Sequence, residues 1–180
     1  MTGTLEIQIP NCAPGIGHVI VSPESDHLIE GVKILPFHLW PDDRGYFLEV
    51  GRIGQGLIAD FPFETTQVSA ALTYPGAIKA FHHHMHQTDV WAVVQGMFQV
   101  VLVDLRTDSR TFGVKNTLYV GHLRPWQVLI PPGVGHGYKV IGDSPAMLVY
   151  VTDRLYDPSD EGRIAYDEPA IHYDWALQHK

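Results

Sequence analysis

The chain has 180 residues, 45% of them hydrophobic and 18% charged, with a formal net charge of −8. That length supports one domain with a sizeable core, and the acidic balance argues against a nonspecific nucleic-acid binder and against attachment to an anionic membrane. No apolar run approaches the ~18 residues of a membrane span, and the opening MTGTLEIQIP lacks the basic and apolar regions of a secretory signal.

In chain order, residues 1–30 are expected to form an N-terminal arm. It has an alternating piece at 5–9, a proline and glycine stretch at 10–17 and an apolar piece at 18–21. Such edge strands often pair with a second subunit, and a homodimer is expected. Cys12 is the only cysteine, which forbids an intrachain disulfide and fits a reducing cytoplasm. Strands are expected at 34–40 and 46–50 around the turn Pro41-Asp42-Asp43-Arg44-Gly45. Residues 56–61 are the one plausible short helix, and a strand follows at 65–73.

The stretch PGAIKAFHHHMHQTDVWAVVQG, residues 75–96, holds four of the chain's 11 histidines within five positions. On a strand, side chains alternate, so His82, His84 and His86 are expected on one face and His83 on the other. Apolar runs at 90–94 and 97–105 flank a Gln-Gly signal, and they read as two strands joined by a tight turn, a hairpin. A row of imidazoles on a buried strand calls for a metal, a carboxylate or a substrate. A solvated histidine-rich surface strand is the plain alternative. Further strands are expected at 123–130, 138–141 and 146–152, with a tight turn at 131–136 holding His136. The tail, 153–180, reads as polar and irregular. About ten short strands with close turn signals and little helix argue for an all-β sandwich or barrel in a single domain, 1–180.

The spacing from Gly76 through His82, His84 and Asp89 to Gly96 matches the first motif of the cupin superfamily, with Asp89 where glutamate is usual. Pro131, Gly133 and His136 keep the second motif's spacing, while Pro125 and Val140 replace its opening glycine and closing asparagine. In metal-binding cupins the matching positions supply three imidazoles and a carboxylate, here His82, His84, His136 and Asp89. That donor set suits zinc, iron, nickel or copper.

A second resemblance covers residues 31 to about 175. Its pieces are Asp43-Arg44-Gly45-Tyr46-Phe47-Leu48-Glu49, Gln67, Val103-Asp104-Leu105-Arg106, Ser109-Arg110-Thr111-Phe112-Gly113, Ile130-Pro131-Pro132-Gly133-Val134-Gly135-His136-Gly137-Tyr138, Tyr150, and Tyr156-Asp157-Pro158-Ser159-Asp160-Glu161-Gly162. In that order they resemble dTDP-4-dehydrorhamnose 3,5-epimerase. The resemblance implies a cupin double-stranded β-helix, or jelly roll, with N-terminal arm strands, and an isomerase that works without a cofactor on a nucleotide-linked 4-keto-6-deoxy sugar. His82 then matches the base that removes a proton alpha to the ketone, and Tyr150 the acid on the other ring face. Arg44 and Lys79 match positions that hold anionic groups, Gln67 a nucleotide contact, and His136 a site histidine. An imidazole suits carbon-acid chemistry because its pKa lies near working pH.

Three departures from that family stand out. Asp89 replaces a basic residue, and His83 and His84 replace an aromatic and a glutamine. The family orients its base with an aspartate well beyond the tryptophan matching Trp175, whereas the present sequence runs only to Lys180, and neither Asp167 nor Asp174 matches. A base without an orienting carboxylate is therefore expected. The leading expectation is a sugar-nucleotide epimerase in the cytoplasm. The alternatives are a divalent-metal cupin enzyme built on His82, His84, Asp89 and His136, or a silent sugar-nucleotide binding protein.

Overall fold

The computed structural model describes residues 5–178; the first four residues of the expected arm and the last two of the tail lie outside the described residues. No described residue is α-helical. The short helix expected at 56–61 is a single 3-10 turn, Gly56–Ile58, entered through Gly54 and Gly56, both at positive φ. Thirteen strands form two facing sheets and one hairpin among the described residues.

The first strands are β1 (His18–Val19), β2 (Lys33–Pro36), β3 (Leu39–Asp42), β4 (Gly45–Leu48) and β5 (Gln67–Thr73). There follow β6 (Ile78–His84), β7 (Asp89–Gln95), β8 (Met97–Asp104) and β9 (Lys115–Gly121). The last are β10 (Trp126–Ile130), β11 (Val134–Ile141), β12 (Ala146–Thr152) and β13 (Glu161–Arg163). One sheet has the order β1-β9-β8-β11-β6-β13 and the other β2-β10-β7-β12-β5; β3 and β4 pair alone. This is the jelly-roll class expected.

The pairing of β7 with β8 is corrected. They do not form a hairpin: β7 lies between β10 and β12, and β8 between β9 and β11 in the opposite sheet. Gly96, at φ 73°, carries the chain from one sheet to the other, where an added Cβ would meet Ala146 Cβ at 2.6 Å. The physical sign lay in the runs themselves, since unbroken apolar sequence marks a strand covered on both faces.

That double cover is visible in β8. Phe98, Val100 and Leu102 enter the core between the sheets with Trp91, Val128, Tyr138 and Leu148. Val101 and Val103 face the other way, into a second core formed by Cys12 and Ile16 of the arm and Ile164, Ile171, Tyr173 and Trp175 of the tail. Residues 5–30 therefore run as an arm over their own subunit, and β1 pairs in parallel with β9. Buried Lys115 ties arm to tail: its Nζ donates toward the carbonyls of Ala13, Gly15, Ile171 and His172 at 2.7–3.1 Å. The tail is not wholly irregular either, because β13 extends the six-stranded sheet beside β6.

Candidate active site

The histidine strand β6 lies between β11 and β13. Its register with β11 slips: His136 pairs with His82 and Tyr138 with Lys79, so three steps on β6 oppose two on β11. Such a bulge turns an odd spacing into a shared face. Lys79 and His82, which strict alternation would separate, thus both line one cavity. Gly137 makes this possible, because a Cβ there would fall 2.3 Å from Ala80 Cβ and 2.7 Å from Ala80 Cα.

The cavity has a volume of about 250 Å³ and opens between the sheets. The six-stranded sheet supplies Lys79, His82, His84, His136, Tyr138, Glu161 and Arg163, and the five-stranded sheet supplies Ala71, Asp89, Trp91, Leu148 and Tyr150. His82 and Tyr150 therefore stand on opposite walls. A second cavity of similar size lies beside the β3–β4 hairpin, lined by Leu35, Trp40, Arg52 and Gln127 among others, but no histidine cluster reaches it.

His82 is half-buried, and its Nδ1 lies 3.0 Å from Glu161 Oε1. The carboxylate can only accept, so the proton sits on Nδ1 and Nε2 is the basic nitrogen. This corrects the expectation of an unoriented base: the carboxylate comes from β13, not from a later segment. Burial pushes the Glu161 carboxyl up, but the Arg163 hydrogen bond and the charges of His82 and Arg163 outweigh it and hold the group below the usual glutamate range.

His136 is not in a turn. It sits inside β11, 3% exposed, with Nδ1 donating to the Val134 carbonyl at 3.0 Å. Burial, reinforced by the neighbouring His84, lowers its pKa to about 3, so the ring is neutral and Nε2 is its free lone pair. Asp89 is buried nearby, with Oδ1 accepting from Gln87 Nε2 at 2.7 Å and Oδ2 from Trp91 Nε1 at 3.0 Å. Desolvation raises its pKa despite these bonds. His136 Nε2 stands 3.9 Å from Asp89 Oδ2, too far for a hydrogen bond. His84 stacks on His136 with ring centres 5.5 Å apart, and its buried Nδ1 has no hydrogen-bond partner among the described residues.

Of the expected metal set, His84, Asp89 and His136 offer donor atoms within 4.8 Å of one another. His82 is turned to Glu161 instead. His83 faces away from the cavity and lies over Gly162, where a Cβ would come 2.0 Å from its ring. His86 is past the end of β6 and exposed.

The remaining expected residues divide. Lys79 lines the cavity. Gln67 is on the inward face of β5 but holds the chain rather than the cavity: its Oε1 accepts from Tyr156 N at 3.0 Å, and Tyr156 is a lining residue. Arg44 is at the exposed tip of the β3–β4 turn, paired with Asp42 at 2.5 Å, and is outside the cavity lining. Glu161, Arg163, Gln87, Trp91 and Tyr156 were missed as site residues. Tyr156 and Glu161 stood within a resembling piece, but nothing local gave them a role; β13 reaches β6 only through the fold.

The sequence profile of the dTDP-4-dehydrorhamnose 3,5-epimerase family matches residues 26–180. The spore coat polysaccharide biosynthesis protein SpsL of Bacillus subtilis is 43% identical over 150 residues, covering 82% of this chain and 97% of that protein. A dTDP sugar isomerase structure from Desulfovibrio desulfuricans superimposes with a TM-score of 0.75 at 27% identity, covering 84% of this chain and 94% of that one. The dTDP-6-deoxy-D-glucose-3,5-epimerase RmlC of Legionella pneumophila, solved with dTDP-4-keto-L-rhamnose, gives 0.71 at 25% identity over 87% of this chain and 82% of its own.

Proposed function

The chain belongs to the dTDP-4-dehydrorhamnose 3,5-epimerase family, an isomerase family, and from that premise we propose that it epimerises a dTDP-linked 4-keto-6-deoxy sugar for polysaccharide synthesis in the cytoplasm. The observation that carries this reading is the placement of His82 and Tyr150 on opposite walls of one cavity. Inversion at carbon requires a base on one ring face and an acid on the other.

In the first step His82 Nε2 takes the proton alpha to the C4 ketone, the C–H electron pair forms the new C=C bond, and the carbonyl π pair moves onto the ketone oxygen to give an enolate. Lys79 at the cavity wall supplies positive charge for that oxygen or for the diphosphate. The Tyr150 hydroxyl then delivers a proton to the opposite face, the enolate collapses to the ketone, and solvent restores both groups. Arg163 at the mouth adds a second cation for the diphosphate. Among the described residues no helix is long and apolar enough to cross a membrane.

The test is solvent deuterium incorporation at C3 and C5 of a dTDP-4-keto-6-deoxyhexose, followed by NMR. His82→Asn abolishes exchange at both carbons. Tyr150→Phe leaves exchange and alters the stereochemical outcome. A wild-type protein that incorporates no deuterium from any such substrate refutes the reading.

The cluster of His84, Asp89 and His136 supports a second reading, a divalent-metal enzyme. Two donors about 2.1 Å from one ion can stand at most about 4.2 Å apart; the 3.9 Å gap between His136 and Asp89 is inside that limit, and the three donors together, within 4.8 Å of one another, would draw in slightly to share one ion. The residues fit a three-ligand site facing the cavity; a metal held there would polarise a ketone oxygen. We also propose a homodimer. The exposed Val68 and Leu72 on β5, the free edge of the five-stranded sheet, support it. Sedimentation showing only a 20.1 kDa species at micromolar concentration speaks against it.

A further inference from the structure

The carboxylate beside His82 is fixed from several directions. In the β13–β6 register Glu161 is opposite His84 and Arg163 opposite His82, so the Glu161 side chain reaches His82 along the diagonal on one face. Phe81 and Ile164 extend the ladder with two backbone bonds, of 2.7 and 2.9 Å. Asp160, next in sequence, accepts from the amides of Met85 and Gln87 at 3.0 Å each and so clamps the end of β6 to the start of β13. On the other face the His83 ring lies over Gly162. Arg163 Nε donates to the same Glu161 oxygen that His82 uses, at 2.7 Å. The Glu161 side chain is only 12% exposed, so it is held near its partners at both ends.

We propose that Glu161 is the positioning residue of the catalytic base. It holds the His82 proton on Nδ1 and presents Nε2 to the substrate carbon, while Arg163 keeps it ionised. The inference rests on the epimerase reading for its effect on rate. When the substrate proton arrives on Nε2, both ring nitrogens carry hydrogen, and the imidazolium's positive charge faces the Glu161 carboxylate, which stays unprotonated. The ring then returns the proton to solvent from Nε2. Without Glu161, the neutral ring divides between two tautomers and loses its fixed plane.

The experiment compares wild type, Glu161→Ala and Glu161→Asp by two readouts. The first is the 15N–1H correlation spectrum of the His82 ring in the full chain, without substrate. Wild type shows a single Nδ1–H tautomer, and Glu161→Ala shows a mixture. The second is steady-state deuterium exchange. Glu161→Ala lowers kcat about 100-fold with KM within about threefold, and Glu161→Asp, which retains a shorter carboxylate, recovers part of kcat and of the single tautomer. A single Nδ1–H tautomer in Glu161→Ala, or an unchanged kcat, overturns the proposal. Should wild type exchange no deuterium, the epimerase reading fails by itself, and the ring spectrum still decides whether Glu161 fixes the base. Should Glu161→Ala fail to fold, Glu161→Asp against wild type gives the same decision by both readouts.

Discussion

Gly137→Ala tests the link between backbone packing and chemistry. Gly137 needs no unusual φ; it is glycine because the bulge of β6 passes over it. An added methyl carbon would lie 2.3 Å from Ala80 Cβ, 2.7 Å from Ala80 Cα and 2.8 Å from the Lys79 carbonyl oxygen. These overlaps are roughly 1 Å inside ordinary contact, and two of the three atoms are main chain, so no rotamer change relieves them. Overpacking of this kind costs about 1–3 kcal/mol, and rigid backbone on both sides places this case at about 3 kcal/mol. For a chain of this size that is a fall in Tm of about 6–12 °C. Relief comes by pushing β6 away from β11, which shifts Lys79 and His82 relative to Tyr150 on the facing sheet. A shift of about 1 Å in reacting groups costs about 100-fold in rate. Differential scanning calorimetry gives the first quantity and deuterium exchange under saturating substrate gives the second. A variant that melts within about 2 °C of wild type and exchanges at the wild-type rate refutes the claim that the bulge sets the site.

Asp104 is fully buried and accepts from Arg106 at 2.8 and 2.9 Å, Ser109 at 2.5 Å and Thr111 at 2.6 Å. Asp104→Asn leaves the Arg106 guanidinium without its counter-charge and is expected to cost about 3–5 kcal/mol, read from denaturant midpoints. Burial raises the Asp104 pKa, but the bonds from Arg106, Ser109 and Thr111 outweigh it and leave the folded value below the ordinary one. The unfolded chain therefore takes up this proton first as pH falls below about 4, and the stabilisation, complete above that pH, is lost down to the folded value. Asp104→Asn should flatten that part of the stability–pH curve, and an unchanged acid limb contradicts the assignment. For the metal reading, cobalt loading followed by dialysis should leave about one equivalent on wild type and on His82→Asn, and less than about a tenth on His136→Ala. Equal retention by wild type and His136→Ala, or none by wild type, removes that site.

What the sequence made legible followed from local periodicity and from pieces that stay together in the chain. The dense short runs and the glycine- and proline-punctuated turns pointed to an all-β sandwich or barrel, the resembling pieces narrowed that to a jelly roll, and alternation correctly split His82 and His84 from His83. The errors arose where the answer depends on what lies beyond a strand's end. The runs flanking Gly96 read as a hairpin because periodicity says nothing about which sheet receives a strand. His136 read as a turn residue because Pro131, Pro132 and Gly133 precede it, yet β11 begins at Val134. Arg44 matched by sequence, but in this chain its turn stands apart from the cavity.

The carboxylate beside His82 shows how a contact that matters to a site can come from a strand whose sequence gives no local sign of it. A base needs an acceptor near Nδ1, and any strand adjacent to β6 on its free side can supply one. Here β13 takes that edge, held by the His83–Gly162 contact and by Asp160, and the carboxylate that faces His82 is Glu161. The same arrangement separates the residues of the two chemistries proposed for the cavity. His82 is committed to Glu161, while His84, Asp89 and His136 form their own group deeper between the sheets. Loss of metal from those three should therefore leave the His82 tautomer unchanged, and loss of Glu161 should leave their metal binding unchanged.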